Sequence, residues 1–140
     1  MSLRSLSRVE MEVTSEDDVV LARGHARTLA EERGFDAFAT AAITTAASEL
    51  ARNIWVHAKS GMVIVEEIED DSERVGLRLE FRDRGPGIAD VGRVLAGGFS
   101  TARSLGLGLS GSRRLMDEFA IESALGKGTV ITILKWKRTR

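Results

Sequence analysis

Residues 75–87 read Val75-Gly76-Leu77-Arg78-Leu79-Glu80-Phe81-Arg82-Asp83-Arg84-Gly85-Pro86-Gly87. Val75, Leu77, Leu79 and Phe81 share one parity against Gly76, Arg78, Glu80 and Arg82, which is the period of a strand with one dry face. Asp83 continues the dry parity. A carboxylate carried to the inner side of a strand is costly without a partner, so this residue should meet one. Gly85 and Gly87 then leave room for a flat ring to lie against backbone.

Upstream, residues 62–69 read as a second strand, joined to the first by the polar turn Asp70-Asp71-Ser72-Glu73 in a hairpin. Before it a helix is expected over 36–58, because Ile43, Ala47, Leu50 and Ile54 form one stripe and Gly61 ends the pattern. Its first half is Ala and Thr, which lets the helix lie close on a sheet. Glu49 and Asn53 are four apart and stack on one side of it, about 100° round from the Leu50 stripe. An acid there suits a general base, and an amide oxygen suits Mg2+, which takes oxygen ligands. A further helix follows the cap Ser15, with Val19, Ala22, Ala26, Leu29 and Ala30 at helical spacing up to Gly34. Val9, Met11 and Val13 alternate with Arg8, Glu10 and Glu12, predicting a first strand over 8–13.

Downstream, residues 85–105 hold the only proline and the run Gly97-Gly98-Phe99-Ser100-Thr101, predicting a long, mobile loop of the lid or binding kind. Leu105-Gly106-Leu107-Gly108-Leu109 comes just ahead of a helix expected over 107–119. Bare N–H groups and the positive end of a helix dipole would coincide there, as in a phosphate cradle. No Gly-Lys-Ser/Thr follows, so it is not a Walker A loop. Strands over 120–124 and 129–136 close the chain around Gly126-Lys127-Gly128. The element order predicts an α/β fold, a two-layer sandwich with helices on one face of a mixed sheet.

With 140 residues, a single domain over 1–140 is expected. The net charge of -1 gives no global field to draw in nucleic acid, and the basic end Lys135-Trp136-Lys137-Arg138-Thr139-Arg140 reads as a solvated terminus. The absence of cysteine excludes disulfides, thiolate nucleophiles and cysteine zinc sites, and is compatible with a reducing cytoplasm. Residues 1–8 lack the apolar run of a signal peptide, and no stretch is apolar enough for a membrane span. The two histidines gather no further ligands, so zinc is not expected. His25 reads as a helix-surface residue, and His57, one turn beyond Asn53, as structural, with contact to phosphates or lid as the alternative.

In this order and spacing the motifs resemble the GHKL ATPase and kinase superfamily with its Bergerat nucleotide fold. The resemblance implies that Glu49-Leu50-Ala51-Arg52-Asn53 is the N box, Asp83-Arg84-Gly85-Pro86-Gly87 the first glycine box, and Leu105 to Leu109 the second. Thr129 becomes a late polar contact beside adenine. Within the superfamily, Gly98-Phe99-Ser100-Thr101, Arg113-Arg114-Leu115-Met116-Asp117-Glu118-Phe119 and the ending through Lys135-Trp136 are similar to the RsbT-type serine/threonine switch kinases of bacterial stressosomes.

That likeness implies Mg-ATP as cofactor and Glu49 as general base for a protein hydroxyl. Asn53 would hold Mg2+, Asp83 would read adenine, and Gly106 and Gly108 would wrap the phosphates. The implied substrates are STAS-domain proteins, and a second implied role is activation of a PP2C-type phosphatase by binding its N-terminal region. An anti-sigma factor kinase, which also sequesters a sigma factor, shares the pocket and stands as the alternative.

Overall fold

The computed structural model describes residues 2–88 and 104–138. Five strands form one sheet: β1 (Leu3–Val13), β2 (Gly61–Asp70), β3 (Val75–Asp83), β4 (Glu118–Ala124) and β5 (Gly128–Trp136). Their order across the sheet is β1-β2-β3-β5-β4. The helices are α1 (Glu16–Glu32), α2 (Ala37–Asn53) and α3 (Ser104–Leu115), and a π-helical segment, Ile54–Ala58, prolongs α2.

The sandwich is as expected, but every described ladder is antiparallel, where a mixed sheet was anticipated. The reason lies in the last hairpin. β4 runs in the same direction as β3, as a crossover connection would place it, but β5 folds back into the gap between them. Each neighbour of β5 is therefore antiparallel to it.

Asp36 starts α2 by accepting the Ala39 N–H at 2.7 Å, and Ser15 starts α1 by accepting the Asp18 N–H at 3.2 Å. Both helices bury one stripe on the inner face of the sheet. The stripe of Ala39, Ala42, Ile43, Ala46, Ala47 and Leu50 on α2 meets Val63 and Val65 of β2, Leu77, Leu79 and Phe81 of β3, and Ile131 and Ile133 of β5 in one core. Burying a side chain such as Leu50 or Phe81 is worth about 1.5–3 kcal/mol. The small residues of α2 allow the close approach that its composition predicted.

The opposite face carries ion pairs between neighbouring strands and along single ones, Arg78 with Glu66 at 2.9 Å among them. It also holds a small second cluster of Ile68, Leu134 and Trp136. Gly76 lies under the Trp136 ring, where a Cβ would approach the ring to 2.8 Å.

Three boundaries differ from expectation. β1 begins at Leu3 rather than at residue 8, because its first residues are exposed on both faces and leave no alternation to read. Its backbone nevertheless pairs with β2 back to Asp70, through an irregularity between Ser5 and Ser7. α3 ends at Leu115, not at 119, because the Asp117 N–H bonds the Leu134 carbonyl at 3.0 Å and draws the chain into β4. It also starts before residue 107, so Leu105 to Leu109 lie within the helix and not ahead of it. The expected loop is described only over 85–88, and the Gly97 to Thr101 run lies outside the described residues.

Candidate functional site

At one end of the sheet, the last turn of α2 stands over the ends of β3 and β5. Residues Leu50, Asn53, Ile54, His57, Phe81, Asp83, Gly87, Thr129 and Ile131 line a cavity of ≈ 60 Å³ between them, with Pro86 and Ile88. Three groups singled out from far-apart stretches of sequence, Asn53, Asp83 with Gly87, and Thr129, thus meet around one space.

Asn53 ends the regular α2. The next five residues widen into a π-helical turn, closed where Lys59 adopts φ 68° and donates its N–H to the Ile54 carbonyl at 2.9 Å. Such wide turns are rare and concentrate at functional sites. Asn53 is only 6% exposed, and neither Oδ1 nor Nδ2 has a hydrogen-bond partner among the described residues. Leaving one buried polar atom unmet costs about 1–3 kcal/mol, so an amide with both ends open among the described residues is a candidate for binding a group from outside the chain. His57 Nε2 is likewise buried without a partner among the described residues. Burial holds its imidazole below the ordinary histidine value, against the opposing pull of Asp83. His57 lines the cavity, in keeping with the second of the two readings its position allowed.

Asp83 is half-buried at the end of β3, on the inner face that its parity predicted. Burial raises its carboxyl above the ordinary aspartate value, while the N–H groups of Gly85 and Thr129 and the nearby His57 pull it back. The Gly85 N–H reaches Oδ1 at 2.8 Å.

The glycines beyond it are fixed by close approach. Gly87 sits at φ 77°, and a Cβ there would stand 2.0 Å from the Ala124 carbonyl oxygen. Gly128, at φ 82°, would meet the Asp83 carbonyl oxygen at 2.2 Å. The 84–88 segment and the β4–β5 turn are thereby clamped together, and the Gly126 N–H seals them on the Pro86 carbonyl at 2.8 Å.

Glu49 lies one turn before Asn53, half-buried, and makes no hydrogen bond or ion pair among the described residues. It is not part of the cavity wall. Gly106, Leu107 and Gly108 lie in the first part of α3, which packs on α2, and Leu109 is fully buried in the core. His25, expected on the helix surface, is half-buried on α1, with its Nε2 enclosed.

One residue escaped the sequence reading. Ser123 of β4 stands opposite Thr129, accepts the Ile88 N–H at 2.8 Å, and shares a 2.8 Å hydrogen bond with the Thr129 hydroxyl. The available signal was parity: Phe119, Ile121 and Ser123 alternate like the β3 stripe, with a polar residue at the same end.

The arrangement offers a carboxylate at Asp83 and, at Asn53, a buried amide with both ends open among the described residues, which are groups suited to a nucleotide and a cation. Residues 12–135 match the family described as Histidine kinase-like ATPase domain. The serine/threonine-protein kinase RsbT of Bacillus subtilis (strain 168) is 46% identical over 126 residues, which cover 90% of this chain and 94% of that protein. An anti-sigma F factor of Caldanaerobacter subterraneus subsp. tengcongensis is 32% identical over 100 residues, 67% of this chain and 68% of its own length. A chain from the crystal structure of the SiaB-SiaC complex of Pseudomonas aeruginosa shares the fold with a TM-score of 0.58 and 11% identity, over 95% of this chain and 91% of that one. Full-length ShkA in complex with AMPPNP shares it at a TM-score of 0.55 and 20% identity, over 99% of this chain and 32% of that one.

Proposed function

We propose, from the premise that the chain belongs to the histidine kinase-like ATPase family and is an ATP-dependent serine/threonine-protein kinase of the RsbT type, that it phosphorylates a serine or threonine of STAS-domain proteins and then switches on a PP2C-type phosphatase by binding it. One observation carries the ATP reading: a buried asparagine with both amide atoms unpartnered among the described residues, beside a cavity that also meets Asp83 and Thr129. The single domain would span residues 1–140 and work in the cytoplasm. No helix among the described residues is long and apolar enough to cross a membrane.

Each residue has a proposed task. Asp83 accepts from the amino group of adenine, with Thr129 beside it on the next strand and the Gly87 backbone against the ring; Gly85, whose bare side packs on Ala58 and not on the cavity, orients the carboxylate through its N–H. Asn53 offers its Oδ1 to Mg2+, which when bound would neutralise phosphate charge. Leu105, Gly106 and Leu107, in the first turn of α3, present backbone N–H groups to the phosphates, while Gly108 and Leu109 follow in the helix ladder. Glu49, on the same side of α2 as Asn53, takes the proton of the acceptor hydroxyl. Phosphoryl transfer needs positioning and charge neutralisation more than covalent help, and this set supplies both.

The anti-sigma reading has the 32% identical relative in its favour and shares this pocket. The deciding experiment incubates the protein with Mg2+ and γ-labelled ATP beside STAS-domain proteins encoded near it, with parallel pull-downs of sigma factors and of PP2C-type phosphatases. Label on a STAS serine or threonine with phosphatase capture and no sigma capture is expected. Sigma capture would replace the reading by the anti-sigma one, and no transfer to any STAS protein would refute the substrate class.

A further inference from the structure

Ser123 is polar on the dry parity of β4, yet does not itself line the cavity. It stands behind Thr129, which does, and which is 8% exposed. Three groups surround its hydroxyl: the Ile88 N–H at 2.8 Å, the Gly128 carbonyl at 3.0 Å and the Thr129 hydroxyl at 2.8 Å. The Ile88 N–H can only donate and the Gly128 carbonyl only accept, whereas either hydroxyl can give the proton they share.

Two arrangements follow. In one, Ser123 donates to Gly128 and Thr129 donates to Ser123, so Thr129 turns lone pairs toward the cavity. In the other, Ser123 turns its single proton from the Gly128 carbonyl to Thr129, and the Thr129 proton is free for a ligand. Ser123 accepts the Ile88 N–H in both. Only two hydroxyl rotations separate them, and no heavy atom has to move.

Thr129 is the cross-strand neighbour of Asp83. Along one edge of adenine an amino donor sits beside a ring-nitrogen acceptor; guanine presents there a carbonyl acceptor beside an N–H donor. We propose that Ser123 makes Thr129 indifferent to base polarity: by offering that hydroxyl both a donor and an acceptor, it lets Thr129 meet a base of either kind, and Asp83 alone carries the choice of adenine over guanine. The inference rests on the nucleotide reading above.

Asp83→Asn exposes the consequence. Gly85 N–H holds Oδ1 at 2.8 Å, so an amide at this position keeps its oxygen there and turns its NH2 toward the cavity. The wall then donates where it accepted, and suits a guanine carbonyl. Accepting from the guanine ring N–H obliges Thr129 to donate its own proton to Ser123. Ser123→Ala removes that acceptor and strands a buried donor, while in the adenine arrangement the same proton goes to the base.

The test is calorimetric titration of Mg-ADP and Mg-GDP into the full chain as wild type, Asp83→Asn, Asp83→Asn/Ser123→Ala and Asp83→Asn/Ser123→Thr. Expected are a clear ADP preference in the wild type, a shift of the ADP/GDP ratio toward GDP by tenfold or more in Asp83→Asn, and loss of roughly three- to tenfold of that shift on adding Ser123→Ala. Ser123→Thr, which keeps the hydroxyl, should retain the shift. An unchanged ratio in Asp83→Asn, loss of both nucleotides there, or equal behaviour of the Ala and Thr double variants would overturn the proposal. A wild type that binds neither nucleotide would instead overturn the nucleotide reading itself.

Discussion

The two ends of the sheet are made of the same strands, yet treat their polar groups in opposite ways. At the far end Asp70 accepts from Ser72 N at 2.9 Å, Arg74 N at 2.8 Å and Arg74 Nε at 3.0 Å. Arg74 in turn lies 3.8 Å over the Trp136 ring, and Asp117 accepts the Trp136 N–H at 2.7 Å. Nearby, the buried Glu67 takes Arg33 Nε at 2.6 Å. At the site end the Asn53 amide and His57 Nε2 have no partners among the described residues. The two aspartates register the contrast: backbone N–H bonds, that of Arg74 foremost, hold Asp70 below the ordinary carboxylate value, while burial pushes Asp83 above it. One end is finished by its own chain, and the other leaves polar atoms open among the described residues.

The largest test of that contrast is Glu49→Ala, which should leave ATP binding intact and slow transfer to the STAS substrate by about 10²- to 10⁴-fold, as loss of a general base does. Single-turnover transfer against nucleotide affinity separates the two effects, and an unchanged rate would remove Glu49 from the chemistry. Next, Asp83→Asn should weaken ADP at least about tenfold in calorimetry while the nucleotide-free protein melts at the same temperature or higher, because function and stability conflict at such a group. A lower melting temperature would mean that Asp83 serves the fold.

Asp70→Ala should do the reverse, lowering the melting temperature while ADP affinity and transfer rate stay within about twofold of wild type, the limit of independent, distant sites. The smallest effect is on pH. With the folded-state value of Asp83 raised above 3.8, the unfolded chain ionises first as pH rises, so charging this group reduces stability. The melting advantage of Asp83→Asn should therefore be absent below pH 3.8 and open above it. Asp70 has the opposite sign, its folded value lying below 3.8, so its stabilisation is lost as pH falls through that lowered value.

The site was more legible than the fold's details, for physical reasons. Asp83 could be placed because strand parity is strict, and Asn53 because helical spacing puts it beside Glu49. The start of β1 and the antiparallel seam between β3 and β5 were not legible, since backbone pairing on an exposed edge and the insertion of a hairpin leave no periodic trace. The end of α3 was set by Asp117 meeting Leu134 and Trp136, seventeen or more residues away. The π-helical turn after Asn53 has the same apolar spacing as the helix it prolongs, and Ser123 gains its meaning only from Thr129 and Ile88 across the fold.

The contrast between the two ends is tested most directly by titrating Mg-AMPPNP into wild type and Asn53→Ala while following the melting temperature of each without ligand. Loss of measurable binding with no fall in the ligand-free melting temperature is the predicted result, because the substitution removes two unmet buried atoms that serve only the ligand. Retained affinity, or a variant that melts well below wild type, would show that Asn53 belongs to the framework and contradict the account.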